Sequence, residues 1–188
     1  MKKTWILLLT SILALLSACK NTDPVLDDES LATLKADYQR IINQCPDAAG
    51  YFVEAQYELN GRVCDMNAQD LRPVYVHYLC YWWAGEKGYL VSLDRDFITG
   101  AYTAAEKEEI DVPWAGDSHI PNFDGFISLE EAIHIVKKSS VNDPETVFVT
   151  LRHPVLPNGS PRYVFGGQQG REEHIQVDAK TGELYVLE

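Results

Sequence analysis

The sequence predicts an α+β protein of two tandem modules, each a helix packed on an antiparallel sheet. Three observations carry that expectation. A helical apolar stripe followed by strand-like alternation occurs twice, over residues 30–110 and again over 126–188. Capping-box patterns stand at Thr103-Ala104-Ala105-Glu106 and at Ser128-Leu129-Glu130-Glu131. A strand, an Asp, a Thr-Gly turn and a return strand also recur: Val91-Ser92-Leu93-Asp94 leads to Thr99-Gly100-Ala101-Tyr102 as Ile175-Gln176-Val177-Asp178 leads to Thr181-Gly182-Glu183-Leu184.

Residues 1–18 read as a targeting segment rather than as structure. Met1-Lys2-Lys3 is basic, Trp5 to Leu16 is apolar, and the run is too short for a stable span. Leu16-Ser17-Ala18-Cys19 resembles the lipobox of bacterial lipoproteins, which implies cleavage before Cys19 and acyl chains on it. Several chains, at about 0.8 kcal/mol per buried methylene, would anchor the protein stably. Lys20 follows the Cys where an Asp would signal inner-membrane retention, so the resemblance implies the outer membrane of a Gram-negative cell. Residues 19–29 are polar and read as a tether.

In the first module, Ser30 can cap a helix whose stripe is Leu31, Leu34, Tyr38, Ile41 and Ile42, with Lys35, Asp37, Gln39, Arg40 and Asn43 on the polar side and Pro46 as the stop. Tyr51, Val53, Ala55, Tyr57 and Leu59 alternate with Glu54, Gln56 and Glu58 in a half-buried strand. Val74 to Trp83 is an aromatic and β-branched run that returns through Gly85-Glu86-Lys87-Gly88 into Tyr89–Leu93. Phe97–Tyr102 closes the unit, and Thr103 to about Ile110 is expected as a short acidic helix. Residues 111–125, with Pro113, Gly116, Pro121 and Gly125, read as a linker.

The second module starts at a helix with Leu129, Ala132, Ile133 and Val136 as its buried stripe, and Lys137-Lys138 suits the negative end of its dipole. Strands are expected at Glu145–Arg152, Arg162–Gly167, Glu173–Asp178 and Glu183–Leu187. Its Ser-Leu-Glu-Glu-Ala-Ile start at Ser128–Ile133 and its Val-Asp-Ala-Lys-Thr-Gly-Glu end at Val177–Glu183 resemble the PepSY family. The resemblance covers about residues 127–188. It implies a small helix-on-sheet unit, secreted or tied to propeptides, with a role in restraining peptidases. Lipoprotein relatives in that family resemble the fold of β-lactamase inhibitory protein, a tandem pair of such units. The first module lacks the Glu pair after its Ser30, so its likeness is one of layout.

The chain has 188 residues and a formal charge of -12, which becomes -14 once residues 1–18 and their two lysines are gone. Such an acidic surface excludes nucleic acid as the expected partner and disfavours flat contact with anionic lipid. Beyond Cys19 three cysteines remain, Cys45, Cys64 and Cys80, which allow three pairings. Cys80 sits in an apolar run and is expected in the core. Cys45 at the end of a helix and Cys64 in a Gly-containing loop form the favoured disulfide.

No motif for chemistry stands out. A strand spacing of three puts His77 and Cys80 on opposite faces, so they do not make a nucleophilic pair. Asp117-Ser118-His119 has no evident third metal ligand, and His153 and His174 fall on adjacent strands. Asp94, Asp96, Glu106, Glu108 and Glu109 read as solvated carboxylates. There is no Gly-Xaa-Ser-Xaa-Gly elbow, His-Glu-Xaa-Xaa-His helix or phosphate loop. The expectation is therefore no enzyme and no cofactor. On the run 74–83, Val74, Val76, Tyr78, Cys80 and Trp82 suit the side under the helices. Tyr75, His77, Leu79, Tyr81 and Trp83 line the other face, where Tyr75, Tyr81 and Trp83 are the candidate partner-binding residues. The leading reading is a lipid-anchored envelope protein that binds or inhibits another envelope protein such as a peptidase. A periplasmic small-ligand or metal sensor is the alternative, and a hydrolase with an unrecognised site comes third.

Overall fold

The structure is a computed structural model that describes residues 29–44, 49–84, 87–110, 120, 122–141, 144–153, 159–166 and 175–187. The expected targeting segment, Cys19, nearly all of the tether, Cys45, Asp117-Ser118-His119 and His174 lie outside them. In chain order the elements are helix α1 (Glu29–Asn43), β1 (Ala49–Leu59), β2 (Pro73–Ala84), β3 (Lys87–Asp96), β4 (Glu106–Ile110), helix α2 (Leu129–Lys138), β5 (Phe148–Arg152), β6 (Arg162–Phe165), β7 (Ile175–Asp178) and β8 (Leu184–Val186). The fold is α+β, as expected. The strands form one antiparallel sheet of eight in the order β4-β3-β2-β1-β5-β6-β7-β8.

Each helix buries its stripe on the same side of that sheet. In α2, Leu129, Ala132, Ile133 and Val136 are buried, and the Ser128 hydroxyl oxygen accepts a hydrogen bond from the Glu131 N–H at 3.2 Å. This is the N-cap bond the sequence pattern called for. Lys137 at the other end donates to the Val63 carbonyl at 2.8 Å. On β2, Val76, Tyr78, Cys80 and Trp82 enter the core with Ala55, Tyr57, Val91, Leu93, Val149, Leu151 and Tyr163. Of the segment read as a linker, Ile120 and Phe123 are core residues too: Ile120 donates to the Phe52 carbonyl at 2.8 Å, and the Phe123 ring lies 5.0 Å from that of Phe52.

Two elements depart from the sequence reading. Within β1, Phe52 pairs with Cys80 and Glu54 with Leu79, so Val53 is a bulged extra residue. A bulge breaks the two-residue period and swaps faces. Phe52 therefore joins Ala55, Tyr57 and Leu59 in the core, while Tyr51 turns to the opposite face and stacks on Tyr81. The acidic stretch expected as a helix is instead edge strand β4, paired with β3 from Glu106↔Ser92 to Ile110↔Gly88. It has no apolar stripe to bury, and so short a helix is marginal without one. Thr103 does not cap a helix either; its hydroxyl accepts from the Asp94 N–H at 3.0 Å.

The two Thr-Gly turns share one hydrogen-bond pattern. Asp96 Oδ1 accepts from the N–H groups of Ile98 and Thr99, and Asp178 Oδ1 from those of Lys180 and Thr181. Thr99 and Thr181 each accept from the N–H two residues on, and Gly100 and Gly182 take φ of 70° and 71°. The counterpart of Asp178 is thus Asp96, not Asp94 as the sequence pattern suggests. Backbone donors, from Thr99 above all, hold the Asp96 carboxyl below its ordinary value. Burial pushes Asp178 up, but the Thr181 and Lys180 N–H groups and the Ser160 hydroxyl bring it below.

A left-handed φ costs a residue with a Cβ about 1–2 kcal/mol. A Cβ at Gly100 meets nothing within 4 Å, whereas one at Gly182 would lie 3.1 Å from Ile135 Cδ1 of helix α2. Gly100→Ala should therefore cost about 1 kcal/mol and Gly182→Ala measurably more. Urea unfolding of the two variants side by side checks the order.

Candidate functional site

The helix side of the sheet holds a buried polar cluster centred on Asp37. This residue is 1 % exposed, because it stands between Leu34 and Ile41 in the buried stripe of α1. Its carboxylate accepts from Arg95 Nη1 at 3.0 Å, from the Tyr78 hydroxyl at 2.7 Å and from the Tyr102 hydroxyl at 2.6 Å. Arg40 stacks over the Tyr102 ring at 4.1 Å. Burial works against the Arg95 charge, yet the Asp37 hydrogen bond and charge more than compensate and hold the guanidinium above its ordinary value. Burial also raises the Tyr78 hydroxyl strongly. With both partners and both hydroxyls engaged, the cluster ties α1 to β2 and β3. The sequence reading placed Asp37 on the polar side of α1. The available signal was its spacing of three from Leu34 and four from Ile41.

A second polar contact joins the starts of the two helices. The Ser30 hydroxyl donates to Glu130 Oε2, and its oxygen accepts from the Leu129 N–H at 3.2 Å. Burial raises the Glu130 carboxyl above its ordinary value, against the lowering effect of the Ser30 bond.

The other face of the sheet carries the residues predicted to meet a partner. Tyr75 and Trp83 are half-buried there. Tyr81 is a correction: it is 4 % exposed and offers no docking surface. Its ring lies between Tyr51, stacked at 6.2 Å, and Trp83 at 6.3 Å, and Gly88 permits the approach, since a Cβ there would meet the Tyr81 oxygen at 2.6 Å. Beyond it, His77 Nδ1 lies 2.6 Å from Asp94 Oδ1, with the two side chains 40 % and 26 % exposed. Partial burial, then the neighbouring Asp94 carboxylate, push the Tyr75 hydroxyl up to about 12. Asp94 is therefore the hub of a Tyr75–Asp94–His77 set rather than a solvated carboxylate, and cross-strand register assembles it: His77 pairs directly with Asp94. Glu106 and Glu108 are exposed as expected, and Glu109 pairs with Lys87 at 2.8 Å.

Of the disulfide expected between Cys45 and Cys64, Cys45 lies outside the described residues, and Cys64 carries a free thiol, 3.4 Å from Asp65 Oδ1. Cys80 is a buried free thiol, pushed up by burial, in keeping with its expected role as a small core hydrophobe. Among the described residues no group of three or more His, Cys, Asp or Glu is set to hold a metal. His153 is half-buried just beyond β5.

Residues 126–184 match the PepSY family model, peptidase propeptide and YPEB domain. The match begins just before α2, takes in β5, β6 and β7, and ends on the first residue of β8. This part of the chain is similar to PepSY domains. No curated protein matches the chain. Among solved structures, the crystal structure of a putative lipoprotein from Clostridium difficile 630 is similar at a TM-score of 0.47 and 16% identity, over 80% of this chain and 88% of that one. No described helix is long and apolar enough to cross a membrane.

Two consequences can be measured. Asp37→Ala leaves Arg95 and two hydroxyls without their acceptor, and breaking such a pair costs about 3–5 kcal/mol when fully buried. Arg95 keeps 21% side-chain exposure, so a loss of about 3 kcal/mol in urea unfolding is expected. For Glu130, a raised folded-state value means stability that is present at low pH and lost as pH rises through that value. Glu130→Gln keeps an acceptor for Ser30 and should be more stable than the parent at pH 7, with the difference closing as the pH is brought down to 4. A constant offset across that range would contradict the buried-carboxyl account.

Proposed function

We propose that this chain is a lipid-anchored protein of the cell envelope that binds another envelope protein, a peptidase, and restrains it without catalysing a reaction itself. The observation that carries the reading is the PepSY match over residues 126–184, because the family's description ties it to peptidase propeptides. Leu16-Ser17-Ala18-Cys19 supports lipidation at Cys19, and Lys20 supports the outer membrane as its place. The matching Asp96–Gly100 and Asp178–Gly182 turns, each following a helix and three strands, support descent of the two halves from one duplicated module.

The docking surface in this reading is the sheet face away from the helices, with Tyr75 and Trp83 at its edges of approach. Tyr and Trp are frequent anchors at interfaces because they bury much area with few rotatable bonds. In this reading Tyr81 keeps Trp83 in place from beneath. A photo-crosslinking residue at Tyr75 or Trp83 in intact cells should give a discrete adduct that contains a peptidase, and one at Lys35 on α1 should not. Adducts that form equally from Lys35, or that contain no peptidase, would end the proposal.

A further inference from the structure

Charge is sorted between the two sides of strands β1–β4. Their only Lys and Arg residues are Lys87, Arg95 and Lys107, and all three sit on the helix side. There Arg95 meets Asp37, Lys87 meets Glu109, and Lys107 stacks 3.6 Å over Tyr89. The other face carries carboxylates instead. Register places Glu54, Gln56 and Glu58 of β1 beside Leu79, His77 and Tyr75 of β2, and Ser92 and Asp94 of β3 on their far side. Alternation from Lys107 then puts Glu106 and Glu108 of β4 on this same face. Among the described residues, Glu58, Glu106 and Glu108 have no cation within ion-pair distance. Arg152 reaches Glu54 only at 3.9 Å.

The carboxylates do not stand alone. A row with apolar and aromatic surface, Tyr75–His77–Leu79, runs along β2 between them, and His77 remains 40% exposed. The unpaired carboxylates on β1 and β4 are three strand spacings apart, about 14 Å. An α-helix with its side chains is about 10–12 Å across. We infer that this strip takes a cationic amphipathic helix of the partner protein, its apolar stripe on Tyr75 and Leu79 and its Lys or Arg residues reaching both acidic flanks. The inference rests on the sheet face proposed above as the docking surface, and adds the partner's chemistry to it.

The test uses the mature chain and synthetic peptides of about two heptads with one apolar stripe. A Leu–Lys peptide should bind, a Leu–Glu peptide of the same pattern should not, and binding should weaken with salt. The variant Glu58→Gln with Glu106→Gln and Glu108→Gln should bind the Leu–Lys peptide about tenfold less tightly. Asp65→Asn with Asp124→Asn and Glu183→Gln removes the same charge elsewhere and should leave binding unchanged. Equal weakening by both triple variants, or equal binding of the Leu–Glu peptide, would overturn the inference. Thermal unfolding of each variant separates lost binding from lost fold. A peptidase cross-linked at Trp83 together with no Leu–Lys binding sinks this inference alone, while the converse result sinks only the peptidase reading.

Discussion

Strand β1 is hydrogen-bonded on both sides, to β2 along nearly all its length and to β5 over Glu54–Glu58. That double pairing turns two helix-and-strand halves into one sheet, and the rest of the structure follows from it. On this continuous sheet α1 and α2 share one side, and their starts meet at Ser30 and Glu130. The space between them is filled by Phe123, whose ring packs edge-on to Tyr38, Phe52 and Phe126. The Val53 bulge makes this possible, since it turns Phe52 into the core beneath Phe123. An unbroken alternation would put Val53 opposite Cys80 in its place, turn Phe52 outward and leave Tyr81 without Tyr51 as its stacking partner.

What could be read from sequence was what is local. Helix α2 has a cap, a stripe and a basic end within eleven residues, and all three are present as read. The two faces of β2 follow from strict alternation, and the buried one is as assigned. What could not be read depends on partners far along the chain. Asp37 looks polar beside its neighbours, but Tyr78, Arg95 and Tyr102 lie 41, 58 and 65 residues away. The bulge at Val53 appears only once β1 is laid against β2. The Thr103–Glu106 pattern satisfies a capping rule, yet ladder bonds to β3 decide the outcome. Even the repeated turn hides its true Asp, because sequence does not show that Asp96 meets the Ile98 and Thr99 N–H groups while Asp94 meets His77.

The same division applies to the candidate site. Tyr75 and Trp83 sit on the face that alternation assigned them, whereas the burial of Tyr81 depends on Tyr51 and on the close approach at Gly88. The Tyr75–Asp94–His77 set escaped the sequence reading for a similar reason. Each member looked like an isolated surface residue, and only the β2–β3 register joins them.

Strand β4 carries a consequence beyond its own pairing. Its residues Glu106, Lys107, Glu108 and Glu109 are all exposed at one margin of the sheet. A neighbouring copy that offered its own β4 there would bring like charges together at strand spacing, before any backbone bond could form. An acidic border of this kind keeps the open edge of the sheet from serving as a template for a second copy.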